Sequence, residues 1–180
     1  MGFSLDFQSD PFAAIDTPAV HFFLEPPPGG TIAANHFYAR WMRRFIPRKF
    51  HRAYERCPPA CCGVILGGAA EMATYLSALA KRLRTVSLLQ RHTIGADSAM
   101  HNLIAHITHD APGIFVENDG MVATMGLAPK DNYTVDAAGL IRLPDGHAPA
   151  IVHQYDRHAA LFSRSKYARL AAGAPATDGA

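Results

Sequence analysis

A chain of 180 residues with 49% hydrophobic and 18% charged residues has the length and composition of one globular domain. Its formal net charge of +2 gives no reason to expect a nucleic-acid partner, and no run of 18 apolar residues predicts a membrane span. The segment MGFSLDFQ has no basic stretch followed by an apolar core, so we expect no secretory signal, and the three clustered cysteines do not indicate a disulfide framework. We expect a cytoplasmic protein with one domain over residues 1–165 and a flexible tail over residues 166–180.

The first half of the chain predicts strands that alternate with helices. Residues 19–25 (AVHFFLE) are typical of a buried strand ending on a carboxylate, and residues 26–30 (PPPGG) terminate it. Asn35 is a suitable N-cap for a helix that continues to Phe45. Residues 61–66 (CCGVIL) predict a second strand. Residues 69–89 predict a helix whose apolar stripe lies in the core: Met72, Tyr75, Leu76, Leu79 and Leu83.

Between these two strands lies the most basic part of the chain. It contains seven basic side chains and one acidic residue: Arg40, Arg43, Arg44, Arg48, Lys49, Arg52 and Arg56, against Glu55. A solvated helix face and a patch for phosphate or an acidic partner are both compatible with this pattern, and we favour the solvated face.

A third helix is predicted from Asp97 to about His109. His106 and His109 are spaced i and i+3, so they share a face on which they can hold a metal. The alternative is a pair of surface histidines near the helix C-terminus, where positive charge is favourable. We favour this alternative because the H-E-x-x-H pattern of hydrolytic zinc sites is missing.

Beyond Pro112 the pattern becomes rich in short strands. Residues 113–117, 121–125 and 133–135 are strand candidates, and residues 140–143 and 150–153 flank a Pro-Asp-Gly turn that predicts a hairpin. Strands that alternate with helices and are followed by hairpins predict an α/β layer with an antiparallel extension.

The segment IVHQYDRH (residues 151–158) joins a short apolar strand to six polar side chains. Strand alternation places His153, Tyr155 and Arg157 on one side, and the other three polar side chains on the opposite side. Such a group of directional donors and ligands is typical of a metal, phosphate or sugar site. A polar strand end that enters solvent remains an equal alternative.

In this order, the segments resemble a family of GT-A-type glycosyltransferase-like proteins. The resemblance covers residues 7–161 and rests on seven phrases: FQSDPF (7–12), FFLE (22–25), Asn35 with Trp41, Cys61-Cys62-Gly63 with Gly67, GADSAMHN (95–102), ATMG (123–126) and IVHQYDRH (151–158). It implies a partial GT-A-like mixed sheet flanked by helices, with C-terminal β-hairpins.

The sequence also departs from this family. Residues 1–6 (MGFSLD) stand where the family has its metal-binding aspartates, and Ser98 replaces a glutamine. The chain resembles the C-terminal, acceptor-side portion of such an enzyme. We therefore expect an N-terminally truncated or degenerate form. If it is active, the resemblance implies transfer of a hexosyl group from a nucleotide-sugar donor to a glycan or other hydroxyl acceptor.

The resemblance implies a role for several residues. With Mn²⁺ or Mg²⁺ as the cofactor, His153 is the implied metal ligand, oriented by Gln154 or Asp156, and Arg157 is the implied phosphate contact. In the acceptor site, Asp97 is the implied hydroxyl contact or base, and its alternative is a helix cap.

Asn35 and Trp41 are further candidates for the acceptor site, and core packing is the alternative for Trp41. Two other functions stay open for the whole chain. One is a non-catalytic interaction module that binds no donor. The other is a metal hydrolase built on His106, His109 and His153.

Overall fold

The computed structural model describes residues 5–7, 10, 12, 15, 17–25, 30–86, 94–116, 121–126, 133–154 and 157–164. The strands are β1 (Leu5–Phe7), β2 (Val20–Leu24), β3 (Ala60–Leu66), β4 (Gly113–Val116), β5 (Val122–Thr124), β6 (Thr134–Val135), β7 (Ile141–Arg142) and β8 (Ile151–His153). The helices are α1 (His36–Phe45), α2 (His51–Tyr54), α3 (Ala69–Thr85), α4 (Ala96–Leu103) and α5 (Ala159–Arg164), with a 3-10 turn at Arg48–Phe50 and a π-helical turn at Ile104–Thr108. Within these ranges no helix is long and apolar enough to cross a membrane.

The chain forms two compact units. The central unit is Ile15–Asn118, and the split unit combines Met1–Ala14 with Asp119–Ala180. Each unit contains a three-stranded mixed sheet, and α3 and α4 pack on the sheet of the central unit. The fold is therefore mixed α/β, with a mixed sheet flanked by helices. One domain over residues 1–165 stays a prediction, and the expected tail at 166–180 lies outside the described residues.

The sheet of the central unit is built around β2, in which all five residues are buried. β3 pairs with β2 in the antiparallel sense and β4 in the parallel sense, which gives the order β3-β2-β4. A continuous apolar run is typical of a strand that is covered on both faces. Tyr75 of α3 and Ile104 pack with Val20, Phe22 and Leu24 in the hydrophobic core.

Most predicted elements of the central unit are confirmed. α1 follows Asn35 and ends at Phe45, β2 and β3 lie at the two predicted strands, and α4 with its π-helical continuation covers the third helix. α3 begins at Ala69 as predicted and ends at Thr85. The core prediction for Leu76 is wrong, because this side chain is 53% exposed while the neighbouring Tyr75 is fully buried.

The sheet of the split unit has β8 at its centre, with the order β1-β8-β5. β1 pairs with β8 in the antiparallel sense and β5 in the parallel sense. The predicted hairpin between residues 140–143 and 150–153 is therefore wrong. β7 pairs instead with β6, and the Pro-Asp-Gly segment forms a turn closed by backbone hydrogen bonds between Leu143 and both Gly146 and His147.

β8 ends earlier than the sequence predicts. Ile151, Val152 and His153 are buried in the strand, and the next residue, Gln154, has a positive φ of 60°. That left-handed conformation ends the extended backbone. The predicted alternation of the six polar side chains is therefore wrong, and of these six, Tyr155 and Asp156 lie outside the described residues.

Candidate functional site

The predicted site residues divide between the two units. Asn35, Trp41 and Asp97 belong to the central unit, and His153, Gln154 and Arg157 belong to the split unit. Asp156, predicted to orient His153, lies outside the described residues. Each group is therefore considered within its own unit.

Asn35 is the N-cap of α1. Its Oδ1 accepts hydrogen bonds from the backbone N–H of Phe37 at 3.0 Å and of Tyr38 at 3.2 Å. The side chain is buried, and its carbonyl oxygen already satisfies two of the free amides at the start of the helix. Its geometry is that of a structural cap, and its substrate contact stays a prediction.

Trp41 packs against the start of α4. A Cβ built on Gly95 would meet the indole of Trp41, so the ring lies directly on this glycine. Gly95 has a φ of +96°, a conformation that a residue with a side chain rarely adopts. Phe37 and Tyr38 flank the indole, with ring centroids 6.0 and 5.2 Å from it. The indole itself is only half-buried, so part of it faces solvent.

Asp97 lies just beyond this contact and is exposed. The N-cap of α4 is Gly95, so Asp97 occupies the second position of the helix and the predicted cap role is wrong. The Sγ of Cys62 lies 4.0 Å from its Oδ2. The exposed carboxylate is therefore accessible to a ligand.

Polar side chains lie behind Asp97. The Sγ of Cys62 is 2.9 Å from the Oγ of Ser98, and burial, followed by the charge of Asp97, raises the pKa of the Cys62 thiol to about 12. Burial and the carboxylate of Glu25 likewise raise the pKa of Tyr38 well above its usual range. Both groups are neutral near pH 7, so Cys62 acts here as a thiol and not as a thiolate nucleophile.

Sequence reasoning missed the contribution of Gly95, Ser98 and Tyr38 to this region. Ser98 was noted only as a departure from the family pattern, and Tyr38 was not singled out. The signal was present for Gly95, because a glycine directly before a helix favours a left-handed backbone there. The expected strand location of Cys61 and Cys62 is confirmed, and all three cysteines are free.

Asn102 joins α4 to β3. Its Oδ1 accepts the backbone N–H of Ala60 at 2.7 Å, and its Nδ2 donates to the carbonyl oxygens of Ala60 and Ser98, both at 2.9 Å. Asn102 is fully buried. It therefore sets the position of α4, and with it Asp97, against the sheet of the central unit.

The three histidines of α4 and its π-helical continuation lie in different environments. His101 is fully buried, with its Nδ1 2.7 Å from the hydroxyl of Tyr75, and His106 stacks on Phe115 at 4.5 Å. His109 is exposed and ends the π-helical turn with a φ of 47°. In the described part of the chain, no group of three or more histidine, cysteine or acidic residues can hold a metal ion.

Gln154, Arg157 and His158 lie against the end of β5. The Nε2 of His158 is 2.7 Å from the carbonyl oxygen of Met125, and the backbone N–H of Met125 donates to the carbonyl of His153. A Cβ built on Gly126 would meet the side-chain amide of Gln154 and lie 3.2 Å from Nη1 of Arg157. The predicted phrases ATMG and IVHQYDRH are therefore neighbours, and Arg157 is their exposed charged residue.

The chain was compared with protein-family models, curated proteins and solved structures. No protein-family model, no curated protein and no solved structure matches the chain. The resemblance to GT-A-type glycosyltransferases therefore stays a prediction from the sequence.

Proposed function

We propose that this protein is related to metal-dependent nucleotide-sugar glycosyltransferases and that its central unit binds the sugar acceptor. The observation that carries the proposal is the position of Trp41 and Asp97. A half-buried indole rests on Gly95, and an exposed carboxylate follows two residues later. The ordered phrases of the sequence support the same interpretation.

This pair of side chains has the chemistry that a sugar requires. An indole offers a large, rigid apolar surface for the C–H groups of a pyranose ring, and its N–H can donate to a ring hydroxyl. A carboxylate accepts hydrogen bonds from hydroxyl groups, and such charge-assisted bonds are among the stronger ones. Sites for small ligands commonly combine an apolar surface with a few well-placed polar groups.

The role proposed for Asp97 is to accept a hydrogen bond from the acceptor hydroxyl. It points from the first turn of an eight-residue helix, where the helix dipole favours a negatively charged group. Its neighbour Cys62 is a neutral thiol and adds no opposing charge. In a transfer reaction, such a carboxylate orients the acceptor hydroxyl that attacks the anomeric carbon of the donor sugar.

The donor side of the proposal depends on the split unit. Arg157 is exposed beside Gly126, and its planar guanidinium suits a phosphate oxygen of a nucleotide sugar. His153 is buried within β8, and the described residues contain no set of ligands that fits Mn²⁺ or Mg²⁺. The ligand role of His153 therefore stays a prediction.

Trp41 is the only tryptophan of the chain, so intrinsic indole fluorescence reports on this site alone. We expect a panel of methyl hexopyranosides to include at least one that changes this fluorescence saturably. Asp97→Asn should weaken the binding of that glycoside by about tenfold, which is the loss expected for one charge-assisted hydrogen bond. Glu55→Gln removes a carboxylate elsewhere in the same unit and should leave the affinity unchanged.

A panel with no saturable response, or equal losses in both variants, contradicts the acceptor site. Calorimetry with Mn²⁺ and UDP or GDP then separates two forms of the proposal. Binding that Arg157→Gln weakens indicates a donor site. Glycoside binding with no nucleotide binding indicates a sugar-binding module without transfer activity.

A further inference from the structure

A groove at the start of the basic region between β2 and β3 is separate from the proposed acceptor site. It lies along α1, has a volume of about 420 Å³, and is lined by His36, Arg40 and Arg43 together with Ala33, Ala34 and Ala39. His36, Arg40 and Arg43 are spaced i, i+4 and i+7, so they share one face of the helix. All three are exposed.

The opposite face of α1 is the buried one. Tyr38, Met42 and Phe45 pack into the interior, which leaves the basic face with no role in the core. The helix amides of Phe37 and Tyr38 are already taken by Asn35. An anion in this groove would therefore be held by side chains rather than by the end of the helix.

Charge is distributed unevenly along the chain. The segment from Arg40 to Arg56 has seven of the 17 lysine and arginine residues but only one of the 15 acidic residues. Within the described residues Arg82 pairs with Asp110 and Arg142 with Asp136, and no carboxylate pairs with Arg40 or Arg43 there. Unpaired guanidinium groups around a cavity attract anions.

We infer that the α1 groove binds a phosphate or pyrophosphate group. Three alanines and two arginines line the groove, and a planar guanidinium group can bind a phosphate through two parallel hydrogen bonds. A concave site of this size suits a single phosphorylated group better than an extended polyanion. The inference is independent of glycosyl transfer, since none of the groove residues belongs to the Trp41–Asp97 site.

The test is calorimetry with inorganic phosphate and pyrophosphate on the full chain. Arg40→Gln combined with Arg43→Gln should weaken pyrophosphate binding by at least about tenfold, because it removes two charge-assisted contacts. Arg52→Gln combined with Arg56→Gln makes the same change in net charge outside the groove and should have little effect. All four arginines are exposed, and a thermal unfolding curve of each variant confirms that it is folded.

A second arm identifies the source of the phosphate. Sedimentation with phosphatidylcholine vesicles containing a phosphoinositide, against pure phosphatidylcholine vesicles, tests a lipid headgroup, and soluble pyrophosphate tests a free one. Either result supports the site when the groove pair abolishes binding and the control pair does not. Duplex DNA serves as a further probe, for an extended polyanion. DNA binding without pyrophosphate binding, equal losses in both pairs of variants, or no binding of any probe would overturn the inference.

Discussion

The central unit and the split unit hold their polar residues in different ways. In the central unit, the buried amide of Asn102 bridges α4 and β3 through three hydrogen bonds to the backbone, and the indole of Trp41 lies on Gly95. In the split unit, the flexible amide of Gln154 lies on Gly126 after the end of β8. The central unit therefore holds the exposed Asp97 through buried, rigid contacts, whereas the contact at Gly126 involves a flexible side chain that can move.

The largest expected effect on stability comes from disrupting the contact between Gly95 and Trp41 in the central unit. Gly95→Ala should destabilise the protein by about 3 kcal/mol, because the added methyl meets a rigid indole and the φ of +96° becomes strained. Gly30→Ala is the matched control, with a φ of +72° and no atom within 4 Å of the added Cβ, and should cost about 1 kcal/mol. Urea unfolding of both variants measures the difference, and equal costs would contradict the packing of Trp41 on Gly95.

The next effect concerns the bridge between α4 and β3. Asn102→Ala should cost about 2–3 kcal/mol, since it leaves the buried N–H of Ala60 without its acceptor. Asn35→Ala removes a cap that bonds two amides at the start of α1 and should cost about 1 kcal/mol. Chemical denaturation ranks the two variants, and a smaller loss for Asn102 would mean that this bridge does not hold α4.

The next prediction concerns the pH dependence of stability that His101 gives to the central unit. Burial, with a smaller contribution from His106, lowers the pKa of His101 from 6.5 to about 3, so the unfolded chain takes up a proton that the folded chain does not. The contribution of neutral His101 to the unfolding free energy is therefore fully present above about pH 6.5, and it is lost as the pH decreases from 6.5 towards 3. Between pH 7.5 and pH 5 the loss from this group is about 2 kcal/mol.

His101→Phe keeps an aromatic ring beside Phe22 and Tyr75 and removes the titrating group. The unfolding free energy of this variant should depend less on pH than that of the unmodified protein over the same interval. Identical pH slopes in the two proteins would show that His101 does not cause the loss.

The smallest effect tests the yielding contact of the split unit. Gly126→Ala should cost about 1 kcal/mol, because the added methyl meets the far end of a flexible side chain rather than a ring or the backbone. Gln154→Ala should then restore most of that loss in the double variant. A cost as large as that of Gly95→Ala, with no recovery in the double variant, would remove the distinction between the two units.

Local features of the fold were predictable from the sequence. The run VHFFL predicts a strand wherever a sheet can cover both its faces, and Asn35 before an apolar-periodic segment predicts its own helix cap. These signals depend on neighbouring residues only. For the same reason, the start of α3 after Gly67 and Gly68 was predictable.

The remaining features depend on partners that are distant in sequence. β8 was expected to pair with residues 140–143, but its hydrogen-bonding groups pair with β1 and β5. The exposure of Leu76 depends on which face of α3 packs on the sheet. Of the candidate site, Trp41 and Asp97 were predictable as residue types, whereas their proximity depends on Gly95 and on the docking of α4.

The indole N–H of Trp41 provides the most direct test of the acceptor site. In a ¹⁵N-labelled sample it gives a single indole signal, because the chain has one tryptophan. We expect a bound methyl glycoside to shift this signal saturably in the unmodified protein. Asp97→Asn should weaken the binding, and Glu55→Gln should leave it unchanged. An indole signal that stays unmoved while other amide signals shift would contradict a sugar site at Trp41 and Asp97.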